Sequence, residues 1–274
     1  MKPPVFSYAA PQTIDECLAL KAEHGEDARF IAGGQSLMPL LNLRMVRPAV
    51  VIDLGKVRDL AYWRREGDAI VIGAMLRQRT LEQDKELAAA LPLLAEAVRQ
   101  IGHPATRSRG TIVGSLCHAD PAAELPVCAL LLKAQIVLAS AKGKRTIAAE
   151  EFLADALSTS IRDDELVEQV RLPAGRRDTG YAFIELARRH GDFALISVAA
   201  SVASNGGARV AIGGLGRAPV AFDVDGQGIA AEAQRIAHGL EPPSDLHATA
   251  EYRRALAQVL IERALTKAAE RSAT

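Results

Sequence analysis

The sequence predicts an α+β protein in which a larger N-terminal part precedes a smaller C-terminal α+β domain. Before residue 172 helical and strand patterns are mixed, whereas after residue 180 the strand patterns come first and the helical patterns follow. Strands followed by helices are typical of a separate α+β domain. The polar segment 172–180, which contains proline and glycine, is the expected boundary. We therefore expect domains at residues 1–174 and 175–274.

The N-terminal elements begin with a well-marked helix. Thr13 can cap this helix, Glu16 completes a capping box, and Gly25 ends it. Short apolar runs predict buried strands. The elements expected next are a strand at 29–32, an apolar helical turn at 37–41, a strand at 50–54 and a hairpin of 60–65 with 69–72.

The middle of the chain is less regular. Pro92 in a first turn predicts a helix that continues over 93–101. Residues 102–110 contain two glycines and a proline, so we expect a loop there. The elements expected after this loop are a helix at 122–132 and strands at 135–139 and 165–172.

The C-terminal part reads as strands followed by a long helix. Strands are expected at 181–187, 194–203 and 208–213, and Asn205-Gly206 predicts a tight hairpin between the last two. The final helix is expected from near Ser244. Its apolar stripe consists of Tyr252, Leu256, Val259 and Leu260.

Composition limits the functions that the chain can have. Lys and Arg together number 33, as do Asp and Glu, so no basic surplus indicates nucleic acid as a partner. No apolar run is long enough for a signal peptide or an integral membrane segment, and we expect a cytoplasmic location. Cys17, Cys117 and Cys128 lack metal-ligand spacing. We therefore expect neither a metal site nor an iron–sulfur cluster on this chain.

Two glycine-containing segments carry the chemistry of this sequence. Residues 32–36 follow a predicted strand, and their glycines let main-chain N–H groups approach a ligand closely. Such amides at the start of a helix form a site for a phosphate or diphosphate. The alternative is an ordinary strand-to-helix turn capped by Ser36. Residues 110–115 again offer hydroxyls and backbone donors, and the two segments together favour one diphosphate held between them.

Four segments resemble the molybdopterin dehydrogenase flavoprotein family, which includes carbon monoxide dehydrogenase medium subunits and the FAD domain of xanthine dehydrogenase. They are residues 32–44, 107–126, 188–194 and 247–254, in the family's order and across nearly the whole chain. The resemblance implies a two-lobed FAD-binding domain of the PCMH/vanillyl-alcohol-oxidase type. Its lobes would span about 1–55 and 56–174, and the flavin ring would lie where this domain meets the C-terminal one.

The resemblance also assigns roles to individual residues. Main-chain donors of both glycine motifs would hold the FAD diphosphate, and Glu124 would bind the ribose of the adenosine part. Phe193, the aromatic residue of a Gly-Asp-aromatic-Ala motif, would lie near the flavin ring. No catalytic residue is expected. The full set of expected FAD-binding residues is Ala32, Gly33, Gly34, Gln35, Ser36, Leu37, Ile101, Thr111, Gly114, Ser115, His118, Glu124, Leu166 and Phe193.

Two residues depart from the family's pattern. Val113 stands where the family usually has the first of two glycines, and a β-branched residue fits positive φ poorly. Either this turn differs from the family's turn, or FAD is held less tightly. Phe193 lacks the hydroxyl of the tyrosine that is common at its position.

The function that the resemblance implies is electron transfer within a molybdenum-containing hydroxylase. Electrons would pass from iron–sulfur clusters on a small subunit through FAD to a final acceptor. A large subunit would carry the molybdopterin cofactor and select the substrate. We expect the assembly to be a dimer of such heterotrimers.

Two alternatives stay open at this stage. One is a stand-alone FAD-dependent oxidase or reductase of the same fold. The other is a protein without redox function, either a nucleotide-binding scaffold or a hydrolase that uses Ser36 with His103 and Asp120. Met38 stands where a nucleophile elbow has its last glycine, which disfavours the hydrolase.

Overall fold

The computed structural model describes residues 1–226 and 228–272. Its first part is a small parallel sheet with helical connections. The sheet order is β1-β3-β2. The elements are β1 (Ser7–Ala9), α1 (Ile14–His24), β2 (Ala28–Ile31), α2 (Leu37–Asn42) and β3 (Val50–Asp53).

The capping signals of α1 are confirmed, with one difference. The Thr13 hydroxyl accepts the Glu16 N–H at 3.2 Å, and Gly25 ends the helix at φ +49°. The Glu16 carboxylate accepts the Gln12 N–H at 2.7 Å rather than that of Thr13. The acidic side chain therefore ties down the residue before the cap.

A larger antiparallel sheet follows, in the order β4-β5-β10-β6-β7, with a separate two-stranded ribbon. The turn between β4 and β5 is the hairpin that the sequence predicts, although its first strand begins only at Trp63. The strands of this region are β4 (Trp63–Glu66), β5 (Ala69–Gly73), β6 (Gln135–Ser140), β7 (Gly143–Ala148), β8 (Leu153–Asp155), β9 (Ser158–Thr159) and β10 (Leu166–Pro173).

Short helices connect β5 to β6. The expected loop over 102–110 was wrong, because Pro104 at a first helical position begins α6 there. The expected helix over 93–101 ends earlier, at Ala97, and continues as a 3-10 turn. The helices are α3 (Gln78–Gln83), α4 (Lys85–Ala90), α5 (Pro92–Ala97), α6 (Pro104–Arg109), α7 (Ile112–His118), α8 (Glu124–Leu131) and, after β7, α9 (Ala149–Phe152).

The C-terminal part is an antiparallel meander followed by two helices, which confirms the α+β class. Gly206, at φ +88°, makes the predicted hairpin turn between the second and third strands. The final helix begins at Ala250, later than predicted. The elements are β11 (Thr179–Ala187), β12 (Ala194–Ala203), β13 (Gly207–Gly213), β14 (Val220–Asp225), α10 (Ile229–His238) and α11 (Ala250–Ser272).

The C-terminal sheet is buried on both faces. Phe183, Ala199 and Ala211 point to the main core, which the sheet shares with the N-terminal helices. Residues on the opposite face of the sheet, such as Ile196 and Val198, pack in a second core with α10 and α11. This double burial explains why β12 is a nearly continuous apolar run rather than an alternating one. It also places one sheet face directly against the first part of the chain.

The described helices include none long and apolar enough to cross a lipid bilayer. Cys17 and Cys128 are buried free thiols, and Cys117 is an exposed one.

Candidate functional site

The first glycine motif is a tight connection between β2 and α2. Gly34 has φ +71°, a conformation that side chains strongly disfavour. Among the residues that the structure describes, the main-chain N–H groups of 33–37 find no hydrogen-bond acceptor. Ser36 precedes α2 but makes no side-chain cap bond. The turn therefore presents a run of free donors, which is what the oxygens of a diphosphate require.

The second glycine motif is not the open turn that the sequence predicted. Thr111 caps α7: its hydroxyl accepts the Gly114 N–H at 3.0 Å, and its carbonyl accepts the Ser115 N–H at 3.2 Å. Val113 is buried inside this helix, where φ is negative, so a β-branched residue fits without strain. The second motif thus offers the start of a helix and the Ser115 hydroxyl rather than a row of free amides.

The two motifs lie against each other. A Cβ atom added to Gly33 would come closer than 3.0 Å to both the carbonyl oxygen of Arg109 and the Cα atom of Gly110. A Cβ atom added to Gly114 would lie 3.9 Å from that of Ala32. The Arg77 guanidinium donates to the Arg109 carbonyl, which fixes the segment before α7. The fold therefore brings together two distant segments that the sequence paired only by their chemistry.

Glu124, at the start of α8, is a buried carboxyl with 7% of its surface exposed. In the described chain no other residue donates a hydrogen bond to its carboxyl group. Burial raises the pKa of Glu124 to about 8, and the negative charges of Glu185 and Asp120 add to this effect. The one donor to this carboxyl is the main-chain N–H of Glu124 itself, so a polar ligand or a proton is needed to satisfy the rest of the group.

Two residues near Glu124 were missed by sequence reasoning. Glu185 on β11 has one buried carboxylate oxygen without a hydrogen-bond partner. Ser197 on β12 has a fully buried hydroxyl that also lacks a hydrogen-bond partner. Burial raises the pKa of Glu185 to about 7. The sequence did hold a signal for Glu185, because its spacing of two from Phe183 places it on an inward face of the strand.

Phe193 is an aromatic side chain with 71% of its surface exposed. It follows a bend at Gly191, whose φ is +85°. A Cβ atom there would lie 2.8 Å from the Gly102 carbonyl oxygen, so this bend rests on the segment just after Ile101. The structure thus brings Phe193 and Ile101 to the same junction between the two parts of the chain. The ring is available to cover a planar ligand.

The two C-terminal segments of the resemblance also meet. Arg188 lies just before the Gly191 bend, and its guanidinium nitrogen is 3.3 Å from Nδ1 of His247. Asp245, two residues before His247, accepts from the buried Arg253 at 2.6 Å. Arg253 also donates to the Leu195 carbonyl at 2.6 Å, which ties the start of α11 to the start of β12. The exposed bend at Gly191 is therefore next to a segment that hydrogen bonds hold in place.

The remaining predicted residues differ in how much of each is available to a ligand at this junction. Leu166 begins β10, which packs on α7, but its side chain is buried in the main core and only its main chain remains for a ligand. His118 ends α7 with its Nε2 atom 3.9 Å from the Asp120 carboxylate. Gln35 donates to the Gly33 carbonyl at 3.3 Å, and Leu37 begins α2.

Cys117 on α7 was not among the predicted site residues. Its thiol is exposed to solvent. Surrounding protein nevertheless raises the pKa of this thiol to about 12.

A hydrolytic triad of Ser36, His103 and Asp120 is not assembled. The Asp120 carboxylate accepts the Ala122 N–H at 2.9 Å and lies nearest to His118 rather than His103. Across residues 1–226 and 228–272, no group of three or more His, Cys, Asp or Glu side chains is placed to hold a metal ion.

Comparisons with known proteins agree over nearly the whole chain. Residues 4–175 match the FAD binding domain in molybdopterin dehydrogenase, and residues 181–268 match the CO dehydrogenase flavoprotein C-terminal domain. The alpha subunit of the 6-hydroxypseudooxynicotine dehydrogenase complex of Paenarthrobacter nicotinovorans is 39% identical, with 99% of this chain and 97% of that protein aligned. The nicotine 6-hydroxylase medium subunit of the same organism is 37% identical over 99% of this chain and all of that subunit.

A solved structure extends this agreement to three dimensions. The carbon monoxide dehydrogenase of Hydrogenophaga pseudoflava that lacks the Mo-pyranopterin moiety superimposes with a TM-score of 0.94 at 33% identity, covering 99% of each chain. The fold and the two family matches define an FAD-binding oxidoreductase component. The chain belongs to the molybdopterin dehydrogenase flavoprotein family.

Proposed function

We propose that this chain is the FAD-binding electron-transfer subunit of a molybdenum-containing hydroxylase, and that it passes electrons from iron–sulfur clusters on a partner through FAD to a final acceptor. The contact between the two glycine motifs carries the proposal. The free amides of residues 33–37 lie beside the start of α7, so one diphosphate can be reached from both segments.

The described residues fit FAD along its length. Free amides and the Ser115 hydroxyl suit the diphosphate. The Glu124 carboxyl, to which no other described residue donates, suits ribose hydroxyls, and the exposed Phe193 ring suits the flavin. When bound, FAD supplies a group that takes up electrons singly and releases them as a pair. This chain's own residues hold the cofactor, orient its ring at the domain junction and limit access of water.

The same proposal covers organisation and partners. Residues 1–174 form the FAD-binding domain, with lobes at about 1–55 and 56–174, and residues 175–274 form the C-terminal flavoprotein domain. The partners are a large molybdopterin subunit and a small iron–sulfur subunit, arranged as a dimer of heterotrimers in the cytoplasm. The relatives named as a complex subunit and a medium subunit support such partners.

Titration of the full chain with FAD tests the cofactor site. We expect Glu124→Ala to weaken FAD binding by at least about tenfold, or ~1.4 kcal/mol, because ribose hydroxyls lose their acceptor. The far-ultraviolet circular dichroism should not change. Glu262→Ala, at an exposed position of α11, is the matched control and should bind FAD normally. Equal FAD affinity in the Glu124 and Glu262 variants would remove Glu124 from the site.

Purification with and without partners tests the role of the chain. Co-expressed with its large and small subunits, it should yield a complex with flavin and iron–sulfur absorbance. Its mass by light scattering should correspond to two heterotrimers. Alone, the FAD-loaded chain should turn over no substrate. Turnover by the isolated chain would support the stand-alone oxidase or reductase instead.

A further inference from the structure

Glu124 and Glu185 meet at one interface. Glu185 on β11 is directly opposite Ser197 on β12, which is opposite Gly213 on β13, so all three share a sheet face. A Cβ atom on Gly213 would lie 2.7 Å from the Ser197 hydroxyl and 2.6 Å from Cγ2 of Val127, so α8 covers this face. Glu124 lies three residues before Val127, on the same side of α8.

Two polar atoms at this interface have no hydrogen-bond partner, and a third group, the Glu124 carboxyl, is bonded only by its own main-chain N–H. The Glu124 carboxyl receives no hydrogen bond from another described residue, and 7% of the residue is exposed. The Glu185 Oε2 atom and the Ser197 Oγ atom are both buried and unbonded. Native proteins rarely leave buried polar groups without hydrogen-bond partners, so this interface needs a polar ligand or a proton.

The nearby cations are engaged elsewhere. Glu96 on α5 accepts from Lys267 at 2.5 Å and from Arg271 at 2.8 Å, both on α11, and from the Phe183 N–H at 3.1 Å. These bonds lower the pKa of Glu96 against the opposing effect of burial, which is the largest single influence. The two positive charges therefore neutralise Glu96 rather than Glu124 or Glu185.

The other charged and titratable groups around the interface add no positive charge to it. Arg209 of β13 lies on the same sheet face but is bound to Asp223 of β14 at 2.8 Å. Asp120, before α8, contributes a further negative charge. Burial first, and then Glu124, Glu96 and Glu185, raise the pKa of the Cys128 thiol, which stays neutral. A buried carboxyl and a half-buried one so placed cannot both ionise at low cost.

We propose that burial at the start of α8, together with the neighbouring Glu185, keeps Glu124 protonated in the FAD-free chain, and that FAD binding to Glu124 releases this proton to solvent. The proposal rests on the proposed function, because it takes Glu124 as the acceptor for the ribose. Hydroxyl groups donate more strongly to an ionised carboxylate than to a neutral carboxyl, so FAD selects the ionised form. Glu185 thus acts through Glu124 as a positioning residue, and it sets the pH at which the site binds its cofactor.

The direction of the pH effect follows from the raised pKa of Glu124. Below about 8 the free chain must lose a proton before FAD binds, so the FAD affinity rises with pH and then levels off. One proton released per FAD gives a slope of about tenfold in Kd per pH unit well below the midpoint. Removing the charge of Glu185 lowers the pKa of Glu124 and moves this midpoint to lower pH.

Flavin fluorescence titrations of the full chain at a series of pH values, from about 5.5 to about 9, test the proposal. Wild type should show the rising affinity and the plateau. Glu185→Gln should keep the plateau Kd and shift the midpoint down by about 0.5 pH unit or more. Glu185→Met, which removes the charge in a different way, should shift it in the same direction. Glu262→Gln is the control for loss of a remote negative charge and should leave the midpoint in place.

The outcomes separate this proposal from the site assignment. Glu124→Gln should bind FAD more weakly and without pH dependence. If Glu124→Gln binds like wild type, the assignment of the ribose site fails. If Glu124→Gln behaves as expected but both Glu185 variants keep the wild-type midpoint, only the role of Glu185 is overturned. A wild-type affinity independent of pH over this range overturns the proton release.

Discussion

In the first glycine motif the described main-chain amides of residues 33–37 make no hydrogen bonds, whereas in the second the amides of Ile112, Gly114 and Ser115 are all engaged. The first motif contains a glycine at positive φ, while the second is the opening turn of a helix capped by Thr111. The two motifs look alike in sequence and differ in structure.

This difference indicates a division of labour. The first motif supplies the free donors, and the second supplies a rigid surface against which the first is held. The two motifs are in contact where Gly33 approaches the backbone of Arg109 and Gly110, and we call this contact the joint between the motifs. Changes at this joint should therefore affect FAD binding most, and changes inside α7 should affect stability more than binding.

The largest effect is expected from Gly33→Ala. A single added methyl group meets main-chain atoms of Arg109 and Gly110 that cannot rotate away. We expect the FAD Kd to rise by about a hundredfold or more, and the free energy of unfolding to fall by about 1–3 kcal/mol, as for other overpacked sites. Fluorescence titration and urea unfolding measure the two quantities.

Gly228→Ala is the matched control, since a Cβ atom at Gly228 meets no atom within 4 Å. It should leave both quantities near their wild-type values. Wild-type FAD affinity in Gly33→Ala would show that the joint between the motifs is not needed for binding.

Local signals predicted much of this fold. The strands expected at 181–187, 194–203 and 208–213, with the Asn205-Gly206 turn, correspond to β11, β12 and β13 with nearly correct bounds, because hairpin registers depend on neighbouring residues. The short helix α6 was missed, since a six-residue helix shows too few turns for its periodicity to be read. The additional elements missed were β1, β7, β8, β9, β14, α3, α4, α7, α9 and α10.

The site was predictable only in part. The glycine motifs could be recognised because their chemistry lies in consecutive residues. The pairing of Glu124 with Glu185 could not, because it depends on how α8 packs on the C-terminal sheet. Val113 shows a further limit. A glycine in relatives suggested positive φ, yet Thr111 starts a helix two residues earlier, so the position is helical.

Val113→Gly should produce the next largest effect, and on stability alone. It restores the glycine usual in the family, but it removes a buried side chain and places glycine inside a helix. Loss of burial costs about 1.5–3 kcal/mol, and the lower helix propensity of glycine relative to valine costs about 0.3–0.5 kcal/mol more. Val113→Ala separates the two contributions because alanine keeps the helix propensity. Tighter FAD binding in Val113→Gly would contradict the division of labour, since it would mean that the valine obstructs the cofactor.

The smallest effect is expected from Thr111→Val, which keeps the shape of the side chain but removes the hydroxyl that accepts the Gly114 N–H. Loss of a helix cap costs about 0.5–2 kcal/mol, so urea unfolding should register it. Thr111→Ser retains the oxygen and should recover most of this stability. The FAD Kd should change by less than about threefold in either variant, because a loosened first turn of α7 still lies against Ala32 and Gly33. A large loss of FAD affinity in Thr111→Val, reversed in Thr111→Ser, would show that the cap itself orients binding groups, and the second motif would then be a binding element equal to the first.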